Sequence, residues 1–469
     1  MTRNIDRREF LGRSTMAAGG LFASGMLASC SRQHKGTAAK EAIYKSNEKG
    51  KLRVAVVGTG WRCLKTWGPP LEKKYSDYVE VVGLCDTNPR RAEYVSGQFV
   101  KRPPTFTDFD KMIRTTRPDS VIITTVDRFH PQYVIRSMQL GCDVICEKPF
   151  ATEDGQCRQL HKAQKKYKKN IIVTFNARYG PGEAKVKELI LAGEVGEIYS
   201  VNYDELLDID HGASYFRRWH GYIKNGGSLL VTKACHHFDE LNWWLESDPV
   251  EVIAYGALKK YGHNGKFRSV KCRGCPHKSK CEFYFDITKN RDLMELYVNC
   301  ESEDGYLRDA CLYRSDLDTY DTNTVMIKYA NGVLASYNLD ATLAYEGQHI
   351  AINGSKGRID LYNHYAQPWD EPHTSEIRLT RNFKDSIMIY PETESTPDVS
   401  GGHLGADDQI RNHVFKGKPT DDLKQRGTAR AGILSSLIGI AGYKSIRAGS
   451  KAIRIKDPVS YTHLTLPTN

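Results

Sequence analysis

Apolar residues first fall into an ordered pattern at Leu52. Leu52–Val57 is a near-continuous apolar run broken by one Arg, as a strand buried on both faces of a parallel sheet requires. Val79–Cys85, Ser120–Thr125, Cys142–Cys146 and Ile171–Phe175 repeat the pattern. Between them, His130–Leu140 has helical spacing. So does the segment placing Cys157, Leu160, Ala163 and Tyr167 on one face, with Lys165, Lys166, Lys168 and Lys169 at its end. Strands alternating with helices predict an α/β chain whose residues 52–175 form a Rossmann-type, doubly wound parallel sheet. Ligands of such a sheet bind at the carboxyl ends of its strands, where Asp86, His130 and Lys148 fall.

Beyond residue 176 the signal changes. Thr324–Ala330 and Val333–Leu339 flank Asn331-Gly332, a hairpin with an Asn-Gly turn. Ile350–Asn353 and Gly357–Leu361 read as another strand pair. Gly432–Tyr443 reads as a buried helix too short to span a membrane. Residues 176–458 are taken as a second, α+β domain, and 459–469 as a non-native tail unlike anything before it.

The 469 residues suffice for two or three domains, and a charged fraction of 26% excludes a polytopic membrane protein. The net charge of +11 is concentrated at the start, where residues 1–51 hold ten Lys/Arg against four Asp/Glu. No basic helix with interleaved aromatics occurs, so no nucleic-acid partner is expected. Asp6-Arg7-Arg8-Glu9-Phe10-Leu11 precedes a Gly/Ala-rich run to Ala28 and resembles a twin-arginine signal. Leu27-Ala28-Ser29-Cys30 resembles a bacterial lipobox with Cys30 as the lipidated residue. Residues 1–29 are therefore read as a signal peptide and 30–51 as a tether. The expected location is the periplasm, with a lipid anchor as the only membrane contact. The twin-arginine route carries chains that fold first, often around a cofactor.

Gly58-Thr59-Gly60 follows the first strand and suits a tight turn that brings backbone N–H groups to a pyrophosphate, although Cys63 replaces the third glycine. Asp86 ends the second strand, where an acid accepts hydrogen bonds from the adenosine ribose and favours NAD over NADP; the alternative is a turn or cap residue. Glu147-Lys148-Pro149 ends a later strand, with Thr125-Val126-Asp127-Arg128-Phe129-His130 one unit earlier. Together with Asn176-Ala177-Arg178-Tyr179, Gly226-Gly227-Ser228 and His236-x-x-Asp239, these resemble the Gfo/Idh/MocA oxidoreductases over residues 51–458. The resemblance implies a second domain built on a large, open, mostly antiparallel sheet and a homo-oligomer. It also implies a nicotinamide cofactor lined by Gly58, Gly60, Trp61, Arg62, Asp86, Thr125, His130, Glu147, Lys148 and Asn176. The family often carries an Asp shortly after the Gly-Gly pair; here Lys233 stands near that place, followed by His236 and His237.

Oxidising a secondary alcohol requires a base for the hydroxyl proton. Lys148 is the first candidate, since burial can lower a lysine pKa; His236 and His237 come second, with His236 favoured to face the cleft. Lys233 is a candidate to orient the substrate. Arg178, Tyr215, Arg217, Arg218 and Trp219 offer the polar and stacking contacts that a carbohydrate needs. Cys272, Cys275 and Cys281, closed by Cys311 or Cys300, have the spacing of a four-thiolate structural zinc site or of two disulfides. The function expected is NAD-dependent chemistry on a sugar or glycoside hydroxyl with a tightly held cofactor. Net hydrolysis through a ketone, as in the family's exported NAD-dependent glycosidases, stands beside two-substrate redox exchange and a non-catalytic dinucleotide-binding scaffold.

Overall fold

Val and Ala fill both faces of the first strand because layers of structure cover it on each side. In the computed structural model, which describes residues 50–366, 374–391, 405–417 and 420–455, β1 (Leu52–Val57) is buried from Val54 onward. With β2 (Val79–Cys85), β3 (Thr105–Phe106), β4 (Ser120–Ile123), β5 (Asp143–Cys146) and β6 (Ile171–Val173) it forms a parallel sheet of order β3-β2-β1-β4-β5-β6. The crossovers are α1 (Pro69–Tyr75), α2 (Pro89–Ser96), α3 (Phe109–Thr116), α4 (His130–Gln139) and α5 (Asp154–Tyr167). Side-chain caps set their starts: Asn88 accepts the Arg91 N–H and Asp108 that of Lys111, while Glu153 and Gln156 form a capping box. The order reverses between β1 and β4, which opens a crevice at their carboxyl ends. Strands β4 and β6 end two residues earlier than their apolar runs, and the nearby Thr125 and Asn176 line that crevice.

The second unit begins with α6 (Pro181–Leu191) and β7 (Ile198–Asp208), whose Val201, Tyr203, Glu205 and Leu207 face inward in alternation. After α7 (Ile209–Arg217) and α8 (Cys235–Leu245) come β8 (Pro249–Ala257), α9 (Arg291–Leu296), β9 (Thr322–Tyr329), β10 (Leu334–Leu343), β11 (Glu346–Gly354) and β12 (Gly357–Ala366). The chain then runs through β13 (Thr374–Arg381), β14 (Ser386–Ile389), α10 (Ala406–Arg411), α11 (Ala429–Arg447) and β15 (Ile453–Arg454). The nine strands form one sheet of order β14-β13-β12-β11-β7-β10-β9-β8-β15, in which only β7 and β10 pair in parallel.

Helix α11 ties the two units together. Its Ile433, Leu437 and Ile440 enter the core under the parallel sheet, and its Ile438 and Ala441 enter the core of the second unit. No helix among the described residues is long and apolar enough to cross a membrane. The twin-arginine segment, Cys30, the tether up to residue 49 and the tail 459–469 lie outside the described residues.

Candidate functional site

Four hydrogen bonds saturate Asp86. Its Oδ2 accepts from Thr59 N (2.8 Å) and Thr59 Oγ1 (3.0 Å), and its Oδ1 from Asn88 N (2.9 Å) and Arg91 Nη1 (3.2 Å). It is the anchor of the glycine turn, the turn role weighed for it above. Gly58 has φ +89°, and a Cβ there would lie 2.7 Å from the Thr124 carbonyl carbon, so only glycine lets the β1 and β4 ends touch. Past the turn, Arg62 donates to Glu147 Oε1 (2.6 Å) and to both oxygens of Asp407 (2.8 and 2.9 Å), a residue of α10. Trp67 Nε1 also donates to Glu147 Oε1 at 2.6 Å, and Asn176 Nδ2 to Asp407 Oδ1 at 2.9 Å.

With Glu147 so engaged, Lys148 turns the other way and donates to the Thr232 carbonyl at 3.0 Å. The backbone that supplies this carbonyl is bent by Gly227 (φ +76°) and Ser228 (φ +100°), a conformation rare outside glycine. The short turn after it delivers Thr232 and Lys233 to the cleft. Lys233 Nζ lies 2.9 Å from Glu205 Oε1, and His237 Nε2 lies 3.3 Å from Glu205 Oε2. His237 Nδ1 meets the Tyr337 hydroxyl at 2.7 Å, so this ring braces the sheet while His236 lines the cleft. Burial pushes His237 down to about 4. Burial raises Glu205, but His237 and Lys233 outweigh it and hold the carboxylate below its ordinary value. Asp127 also faces the cleft. Its Oδ2 has no partner, and burial pushes its carboxyl up to about 8.

His211, Tyr215, Arg218, Trp219 and His220 form the opposite wall, with the Trp219 and His220 rings stacked at 3.5 Å. Burial pushes His211 down to about 3, against the Glu346 carboxylate 2.9 Å from its Nδ1, and pushes His220 well below its ordinary value. Two expectations need correction. Arg178 is buried and grips Asp239 with bonds of 2.6 and 2.7 Å, away from the cleft. Arg217 points to the cysteine loop, donating to Cys272 Sγ at 3.1 Å. His130 does line the cleft, and its ring nitrogens meet the Pro149 and Thr125 carbonyls at 2.7 and 3.0 Å, so it also holds the two rim loops together.

The zinc expectation is also corrected. Among the described residues no group of three or more Cys, His, Asp or Glu is placed to hold a metal ion. The Cys272 sulfur faces a guanidinium, which repels a cation, and Cys300 Sγ turns to the Glu295 carbonyl at 3.2 Å. The disulfide alternative is not formed either: all the described cysteines are free thiols.

The cleft encloses about 1100 Å³, lined by Trp61, Arg62, Thr125, Glu147, Lys148, Asn176, Lys233 and His236 together with the opposite wall. A nicotinamide fits these residues. Asn176 Oδ1 is a buried acceptor without a partner, suited to a carboxamide N–H, and the Gly58–Gly60 turn sits at the phosphate end. Glu205, Asp407 and Tyr297 were missed. Only Glu205 carried a sequence signal, an acid in the inward phase of an alternating strand.

Comparison with known proteins agrees with this architecture. The family model described as "Oxidoreductase family, NAD-binding Rossmann fold" matches residues 52–175, and "Oxidoreductase family, C-terminal alpha/beta domain" matches 187–454. The putative oxidoreductase YteT of Bacillus subtilis is 33% identical over 436 residues, covering 86% of this chain and 98% of that protein. The glycosyl hydrolase family 109 protein 1 of Akkermansia muciniphila is 24% identical over 204 residues, 40% of this chain and 42% of that protein. The WlbA dehydrogenase of Bordetella pertussis, solved with NADH and UDP-GlcNAcA, superposes with a TM-score of 0.61 at 20% identity, covering 87% of this chain and 99% of that one. The chain belongs to the Gfo/Idh/MocA oxidoreductase family.

Proposed function

We propose that the protein is an NAD-dependent oxidoreductase acting on a ring hydroxyl of a sugar or glycoside, with its cofactor held between turnovers. The carrying observation is the single cleft that brings Lys148, Lys233 and His236 to the carboxyl edge of the parallel sheet, opposite a wall of Tyr215, Arg218 and Trp219. Asn176, the Gly58–Gly60 turn and the Arg62–Glu147–Asp407 cluster would hold the nicotinamide cofactor, which supplies a reversible hydride acceptor when bound. Arg91 is buried and committed to Asp86 and Asp304, which supports NAD over NADP, since that cation is not left for a 2′-phosphate.

Lys148 takes the hydroxyl proton, Lys233 orients the substrate's oxygens, and the stacked Trp219 offers the sugar an apolar face. The finer reading is cleavage without net redox change. A ketone on the ring acidifies the neighbouring C–H; His236 takes that proton, the glycosidic oxygen leaves by elimination, water adds in its place, and the hydride removed at the start returns to the ketone carbon, so that the hydroxyl is restored. The Akkermansia relative supports this reading through its name as a glycosyl hydrolase. The reading goes together with the proposal that the leader exports the chain, because a compartment without a pool of free NAD favours an enzyme that regenerates its cofactor in place. The test is a panel of glycosides in heavy water. Cleaved product should carry deuterium beside the oxidised carbon; cleavage without deuterium refutes the elimination.

A further inference from the structure

The stretch between β8 and β9 does not stay with its own sheet. Its segment from α9 to Asp304 crosses to the Rossmann unit and lies on the loops after β1 and β2. Several residues make the crossing, among them Glu303, which takes Arg90 at 3.0 Å, and the Leu296 and Cys300 carbonyls, which accept from Arg91 and Asn88 at 2.9 and 3.1 Å. The Tyr297 hydroxyl accepts the Trp61 backbone N–H at 3.0 Å, immediately after the glycine turn, and a Cβ on Gly60 would lie 3.4 Å from it. Asp292 takes the Lys65 ammonium and, at 2.7 Å, the Tyr94 hydroxyl. Asp304 accepts from Asn88 at 3.0 Å and from Arg91 at 2.7 Å, and the same Arg91 holds Asp86.

These are the two loops on which the adenosine half of a dinucleotide rests. The pairs are charge-assisted, and Arg91 and Asn88 are buried. We infer that the segment from Asp292 to Asp304 is a clasp that slows release of the bound dinucleotide. This rests on the cofactor reading above and adds to it the element that keeps the cofactor in place. A dinucleotide resting on these loops leaves only when the ties across them open, so release is slow.

The test is the dissociation rate of radiolabelled NAD from the full-length protein, chased with unlabelled NAD and followed by rapid gel filtration. The double variant Asp292→Asn/Asp304→Asn should release the label faster by on the order of tenfold or more, the factor that corresponds to losing about one charged hydrogen bond. Tyr297→Phe, which alters one hydroxyl and leaves the ion pairs, should accelerate release in the same direction and serves if the double variant does not fold. Unchanged release in the variants, with or without a lower melting temperature, overturns the clasp and leaves the cofactor reading standing. A native protein that binds no NAD overturns both.

Discussion

Lys233 lies 2.9 Å from Glu205, so the lysine that stands near where the family resemblance puts an Asp is itself paired with a buried carboxylate. The acid comes from a different element, β7, and each member of the pair balances the other's charge. Breaking one member of a buried pair costs about 3–5 kcal/mol, because the remaining charge is left unpaired. Glu205→Gln should therefore lower unfolding free energy by that amount in urea melts. The double variant Glu205→Gln/Lys233→Met should recover part of it, and an additive double variant would show that the pair is not coupled.

His237 makes stability depend on acid. Its folded pKa is about 4, below the unfolded value near 6.5, so between those values the unfolded chain binds a proton that the folded chain does not. Stability contributed by the neutral ring is complete above pH 6.5 and lost as pH falls toward 4, on the order of 3 kcal/mol at 1.36 kcal/mol per unit. His211, at about 3, acts in the same direction. Melting temperature followed from pH 7 to 4 should fall, and His237→Gln should show a visibly flatter fall over that window.

Arg178 is expected to matter for stability and not for substrate. Its guanidinium forks onto Asp239, one helical turn after His236, and its Nη1 donates to the Lys424 carbonyl at 2.9 Å. Arg178→Ala leaves Asp239 buried and unpaired, a loss of about 3–5 kcal/mol. At a temperature where the variant remains folded, KM for a cleaved glycoside should stay within about twofold of native, because no transition-state or ground-state contact is removed.

The parallel sheet was legible because strands buried on both faces must be apolar throughout, and no other local pattern of that length imitates them. The strands β13 and β14 were not legible: β13 carries the exposed Arg378 and the half-buried Arg381, and β14 has only four residues, none of them fully buried. The arginines of the candidate site divided the same way. Arg178 and Arg217 read identically to Arg218 in the sequence, yet only Arg218 lines the cleft, because their partners Asp239 and Cys272 come from segments 61 and 55 residues away. Asp407 is still more remote, 345 residues from the Arg62 it pairs with. Local pattern finds the strand ends that carry a site and not the distant side chains that complete it.

Lys148 carries the sharpest prediction. A lysine after a glutamate invites the reading that the two neutralise each other. The structure separates them: Glu147 is taken by Arg62 and Trp67, both at 2.6 Å, while the Lys148 amine reaches the Thr232 carbonyl across the cleft. The amine is thus held by a neutral acceptor and faces the cleft with His236 and Asp127. Removing a positioned general base lowers turnover by about 10²–10⁴. Lys148→Ala should lose at least 10² in kcat on a cleaved glycoside and still release a full complement of nicotinamide on denaturation, since the Asn176–Asp407–Arg62 cluster is intact. Deuterium incorporation beside the ring hydroxyl should fall with turnover. A Lys148→Ala enzyme with native kcat would move the proton transfer to His236, and His236→Ala would then show the loss in its place.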